Sequence, residues 1–110
     1  MNIVDPGRLL ETLIALPRET EWLEFKQNKF DAEGVGKYVS SLANAAMLHD
    51  QRNGYLVFGV EDETHAVVGT AVRMKGASVG GEPFEAWLSK LLHPTVHVEI
   101  VPFEYDGRHV

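Results

Sequence analysis

Glu19-Thr20-Glu21-Trp22-Leu23-Glu24-Phe25-Lys26 and Gly54-Tyr55-Leu56-Val57-Phe58-Gly59-Val60-Glu61-Asp62 decide how this chain folds. In the first stretch, Glu21, Leu23 and Phe25 alternate with Trp22, Glu24 and Lys26, the period of a strand. In the second, Tyr55 to Val60 is almost continuously apolar, as in a strand covered on both faces. Between them, Val35, Tyr38, Val39, Leu42, Ala43 and Ala46 recur at helical spacing over residues 35–48. Strand, helix and buried strand in that order predict a small mixed sheet with helices packed on it.

The flanks extend this pattern. Asp5-Pro6 is a helix N-cap followed by proline in the first turn. Leu9, Leu10, Leu13, Ile14 and Leu16 then form an apolar stripe, so residues 6–16 read as an N-terminal helix ahead of a domain over residues 17–110. Residues 27–34 are polar and read as a loop. Downstream, Glu61 to Thr64 is a turn and Ala66 to Thr70 a short partner strand. Gly76, Gly80 and Gly81 mark a loop. Glu82-Pro83 opens a helix with Phe84, Trp87, Leu88 and Leu91 on one face, stopped by Pro94. Val96, Val98 and Ile100 alternate with His97 and Glu99, which predicts a last strand reaching Pro102. Tyr105-Asp106-Gly107-Arg108 is a hairpin turn, because Asp-Gly suits a tight two-residue connection. His109-Val110 then opens a return strand at the end of the sequence, as in a piece of a longer protein or a strand completed by another chain. The fold class is α/β (α+β), a small mixed β-sheet with two to three packed helices.

The chain has 110 residues, 45% of them hydrophobic, which suits one small folded domain. It has no cysteine, so disulfides and thiolate metal sites are excluded. No apolar run approaches the roughly 20 residues of a membrane span, and no basic-then-apolar leader opens the chain. The expectation is a cytoplasmic domain with no membrane contact. Ten Lys and Arg against sixteen Asp and Glu leave a net charge of −6. That excludes a general cationic coat for phosphates but allows a local basic patch. Residues 71–81, with Arg73 and Lys75 and no acid, are one such place.

Charged groups gather at the ends of the two strands. If these strands are neighbours, Glu19, Glu24 and Asp62 converge at one end of the sheet, where clustered carboxylates bind hard divalent cations. Such an ion activates water and stabilises charge on a phosphoryl group. The plainer reading pairs Glu24 with Lys26 or Lys37. Lys26, Lys29, Lys37, Arg73 and Lys75 are candidate phosphate contacts, with Ser40, Ser41 and Asn44 adding hydrogen bonds from the polar side of the main helix. Trp22 has a ring to stack on a base or to pack in the core. The five histidines do not fall at zinc spacing. Gly76-x-x-x-Gly80-Gly81 lacks the Lys-Ser/Thr of a phosphate-binding loop.

Glu19-(x)4-Glu24-Phe25-Lys26, the helix segment Ser41-Leu42-Ala43-Asn44-Ala45, the strand Gly54 to Asp62 and Val67-Val68-Gly69-Thr70 together resemble the AlbA-like domain of the Schlafen family. The resemblance covers residue 17 to about residue 105. It implies a DNA- or RNA-binding α/β domain of the kind carried by transcriptional-regulator-like, divergent AAA and helicase-related proteins, with Lys26, Lys37, Asn44, Arg73 and Lys75 as nucleic-acid contacts. Some animal members are metal-dependent endoribonucleases. By that resemblance Glu19, Glu24 and Asp62, with Glu61 as the alternative third acid, would be catalytic and hold Mg2+ or Mn2+. Those members carry a duplicated core around a positive groove, which this chain would match only as a homodimer or as part of a longer protein. The connection from Ala43-Asn44 to Gly54 is longer than usual in the family and has one glycine where two are common. A third expectation is a protein-interaction or oligomerisation domain that uses the terminal hairpin as an edge.

Overall fold

The computed structural model describes residues 5–16, 21–28, 31–92 and 97–110. Helix α1 spans Pro6–Ile14 and β1 Leu23–Lys26. Helix α2 spans Ala32–Leu48 and β2 Tyr55–Phe58. A 3-10 turn at Met74–Gly76 leads into β3 (Ser78–Val79), β4 (Glu82–Pro83) and α3 (Phe84–Leu91). The chain ends with β5 (Glu104–Tyr105) and β6 (Arg108–His109). No helix among the described residues is long and apolar enough to cross a membrane.

β1 and β2 pair in parallel, Leu23 opposite Tyr55 and Lys26 opposite Phe58. Parallel neighbours need a long crossover, and α2 supplies it. Because strand side chains alternate, Leu23, Phe25, Tyr55 and Val57 face one side. They meet Leu10 and Leu13 of α1, with Val60 and the buried Val110. Glu24, Lys26, Leu56 and Phe58 face the other side. There Phe58 joins Val35 of α2 and Phe84 and Leu88 of α3. Helices thus cover both faces of the parallel pair, a mixed α/β arrangement as the sequence predicts. Among the described residues the strands form three two-stranded pairs rather than one sheet.

Local chemistry explains the element ends. The Asp5 carboxylate accepts the Arg8 N–H at 3.1 Å, and Pro6 occupies the first turn of α1. After β2 the chain turns at Gly59, whose φ of +98° is costly for any side chain. Its N–H donates to the Lys26 carbonyl at 2.7 Å, and its own carbonyl accepts from Val68 and Gly69 at 2.8 and 2.9 Å. In the last hairpin Asp106 and Gly107 both have positive φ, 51° and 77°, the backbone of a primed turn. Its return strand is engaged: Val110 and Phe103 exchange two backbone hydrogen bonds, and the His109 carbonyl accepts from Thr70.

Four sequence expectations are corrected. Helix α2 begins at Ala32 rather than Val35: Asp31 is its N-cap residue, and the Asp31 backbone carbonyl accepts the first helical bond from the Val35 N–H at 2.8 Å. The partner strand expected over residues 66–70 reduces to one antiparallel bridge, Val60 to Val67. Residues 97–103 form no strand. Val98 and Ile100 do pack into the second cluster, so the alternation marks an apolar face without a hydrogen-bonded partner. On the helices, Leu91 is 60% exposed and Tyr38 38% exposed, so neither belongs to the buried stripe assigned to it.

Candidate functional site

The parallel pair carries its charged side chains on the α2 face. The Lys26 ammonium lies 3.4 Å from the Glu24 carboxylate, with both side chains about a third exposed. The same ammonium sits over the Tyr38 ring, 4.7 Å from its centre, a cation–π contact across from strand to helix. The Tyr38 side chain, and behind it the Glu24 carboxylate, hold the Lys26 ammonium above its ordinary value of 10.5, against the opposing pull of partial burial. A raised lysine pKa contributes stability that is complete below the unfolded value and is lost as pH rises through the folded one. Denaturant titrations from about pH 9 to about pH 11.5 are therefore expected to show a steeper alkaline loss in the wild-type chain than in Lys26→Met. Identical slopes would show that Lys26 and Tyr38 are not coupled.

Beyond Lys26 the strand ends meet a loop. The Asn28 side-chain oxygen accepts from the Thr70 hydroxyl at 3.0 Å and from the Ala71 N–H at 2.8 Å. Arg73 Nη1 donates to the carbonyls of Thr70 and Val72 at 3.0 and 3.1 Å. Asn28 thus ties the 70–73 loop, and Arg73 with it, to the C-terminal end of β1, where open α/β sheets place their ligands. The sequence marked Arg73 but not Asn28 or Tyr38. Asn28 sits in a stretch whose only visible signal was polarity. Tyr38 falls on the apolar spacing of α2, and only its hydroxyl hinted at a half-exposed place.

The other candidates are distributed as follows. Lys37 and Asn44 are seven residues apart on the exposed side of α2, with Ser41 between them. Lys37 has no ion-pair partner among the described residues. Lys75 pairs with Glu85 of α3 at 3.0 Å. Trp22 packs edge-on against Tyr55 with ring centres 6.2 Å apart and borders the α1 cluster. Glu21 pairs with His49 at 2.8 Å on the surface.

Of the acids, Glu24 is turned to Lys26, as the plainer reading has it. Asp62 is exposed in the turn after β2, and Glu61 is half-buried beside it. Glu19 and Lys29 lie outside the described residues. No three His, Asp or Glu side chains among the described residues come together so as to hold a metal ion. His65 follows on the opposite face. Its Nδ1 lies 2.9 Å from the Ile14 carbonyl, and its ring meets Phe25 edge-on at 4.7 Å.

The model of the Schlafen AlbA_2 family matches residues 19–110. The chain belongs to the Schlafen AlbA_2 family. No curated protein and no solved structure gives a significant match. The matched span takes in the β1–α2–β2 unit, the Asn28-anchored loop, α3 and the terminal hairpin, and the assignment fits a nucleic-acid-binding domain at the level of the family. Helix α1 precedes the match, yet Leu10 and Leu13 are buried among matched residues.

Proposed function

We propose that this AlbA_2 domain binds DNA or RNA, in the setting of a transcriptional-regulator-like protein, across a surface running from α2 to the C-terminal end of the parallel pair. The family match over residues 19–110 carries the reading. Phosphate contacts come from Lys37 and Arg73, with Lys75 released from Glu85 and Asn44 adding a hydrogen bond. The chain's net charge of −6 confines binding to this patch. Contact is therefore modest in number and strongly screened.

About three neutralised phosphates imply a slope in log K against log salt near −2.7 on duplex DNA and near −2.1 on a single strand, so affinity falls about fortyfold or about twentyfold between about 50 and about 200 mM salt. Lys37→Gln is expected to lower that slope by about one. Fluorescence anisotropy with labelled DNA and RNA reads both quantities. No association at low salt, or association indifferent to salt, would sink the reading. Glu24→Gln leaves Lys26 less neutralised, so it is expected to preserve or tighten binding.

A further inference from the structure

The α2 face of the parallel pair holds a small cavity of about 140 Å³ that the phosphate contacts above do not use. Leu56 and Phe58 of β2, Lys26 of β1, and Asp31, Gly34, Val35 and Tyr38 at and along the start of α2 line it. Its polar groups are mixed. Lys26 is a donor, already neutralised by Glu24. Asp31 is an acceptor of an unusual kind: it stands at the N-cap of α2, yet its side chain makes no capping hydrogen bond. An N-cap aspartate ordinarily accepts from the first turn. Here the carboxylate leans over Gly34 instead, its Oδ2 only 3.2 Å from where a Cβ on Gly34 would stand. A pocket with one cation and two carboxylates about it repels phosphate. Apolar strand side chains, an aromatic ring, a donor, and an acceptor that makes no hydrogen bond among the described residues suit a flat, neutral ring with both hydrogen-bonding senses on its edge.

We infer that this cavity receives one unpaired nucleobase, stacked on Tyr38 with its edge between Lys26 and Asp31. The inference rests on the nucleic-acid-binding reading and adds to it that the bound strand is single-stranded. The Lys26 ammonium now over the Tyr38 ring moves to the edge of the incoming base. Stacking of a whole base outweighs one exposed cation–π contact. A base in a duplex has its pairing edge occupied and its faces covered, so the pocket accepts only a base that is free. Lys37, the neighbour of Tyr38 on α2, is exposed and available to the flanking phosphate.

The test compares a labelled single strand of about 12 nucleotides, as DNA and as RNA, with the corresponding DNA duplex, at one low salt concentration. The wild-type chain is expected to prefer the single strands. Tyr38→Leu is expected to weaken single-strand binding about tenfold and leave duplex binding unchanged. Gly34→Ala is the sharper variant. Alanine suits a helix better than glycine, so its melting temperature should hold or rise, while the new methyl displaces Asp31 and lowers single-strand affinity. Equal wild-type affinity for both forms, or unchanged single-strand affinity in both variants, overturns the base pocket and leaves the phosphate-binding reading standing. Failure of every probe to bind overturns that reading too.

Discussion

Phe84→Ala is expected to cost about 3–5 kcal/mol, the largest effect of any single substitution proposed for this chain. Phe84 is 1% exposed and opens α3. Its ring stacks on Trp87 with centres 5.8 Å apart and lies in one cluster with Val35, Phe58 and Leu88. It therefore joins α3, α2 and β2 at once, and removing it leaves a cavity that three separate elements would have to close. Domains of this size are stable by about 5–15 kcal/mol, so the loss takes about a fifth of the total or more. A melting temperature lower by more than about 12 °C is the expected reading. A fall under about 4 °C would show that the cluster closes freely and that Phe84 is not its centre. Because Phe58 also lines the Tyr38 cavity, single-strand binding should weaken with the fold.

Gly54→Ala is expected to cost about 3 kcal/mol by overpacking. A Cβ on Gly54 would stand 2.6 Å from the Leu42 carbonyl oxygen, 2.8 Å from its carbon and 3.0 Å from the Leu42 Cβ. Leu42 is buried mid-way along α2. Its carbonyl cannot retreat without opening the helix, and Gly54 cannot retreat without pulling β2 from β1. Gly76 is the internal control, since a Cβ there meets nothing within 4 Å. Gly76→Ala should stay within about 0.5 kcal/mol of the wild type. Chemical denaturation of both variants measures the difference. Equal midpoints would mean that α2 and the start of β2 have room to separate. The clash also gives a reason for the one glycine retained in the long connection before the central strand. It is the point where strand and helix backbones touch.

The Tyr38 cavity and the Asn28 clamp show where reading the residues alone runs short. Lys26 was visible as a strand-end cation, but a strand pattern does not say which helix residue lies above it. Tyr38 came into view only once α2 was laid across the sheet. Asn28 and Thr70 are 42 residues apart, and no local pattern links them. The strand expected from Val96, which lies outside the described residues, does not form over residues 97–102 for a related reason. Alternation records that one face is apolar, while a strand also requires a backbone edge alongside it.

The sequence by itself determined the elements whose cause is local. Asp5-Pro6 starts α1, the apolar period makes α2, and the alternation around Phe25 and the run from Tyr55 make β1 and β2. Asp106-Gly107 turns the final hairpin, and the ordered motifs place the chain in its family. These follow from capping, side-chain period and turn geometry, which act over a few residues. Tertiary structure alone decided that Glu24 neutralises Lys26, that Tyr38 stands beside it half-exposed, that Asp31 leaves its cap unmade, and that Gly54 touches Leu42. Each depends on which surfaces meet when α2 crosses the parallel pair. A charge or a ring acquires its chemistry there from neighbours distant in the chain.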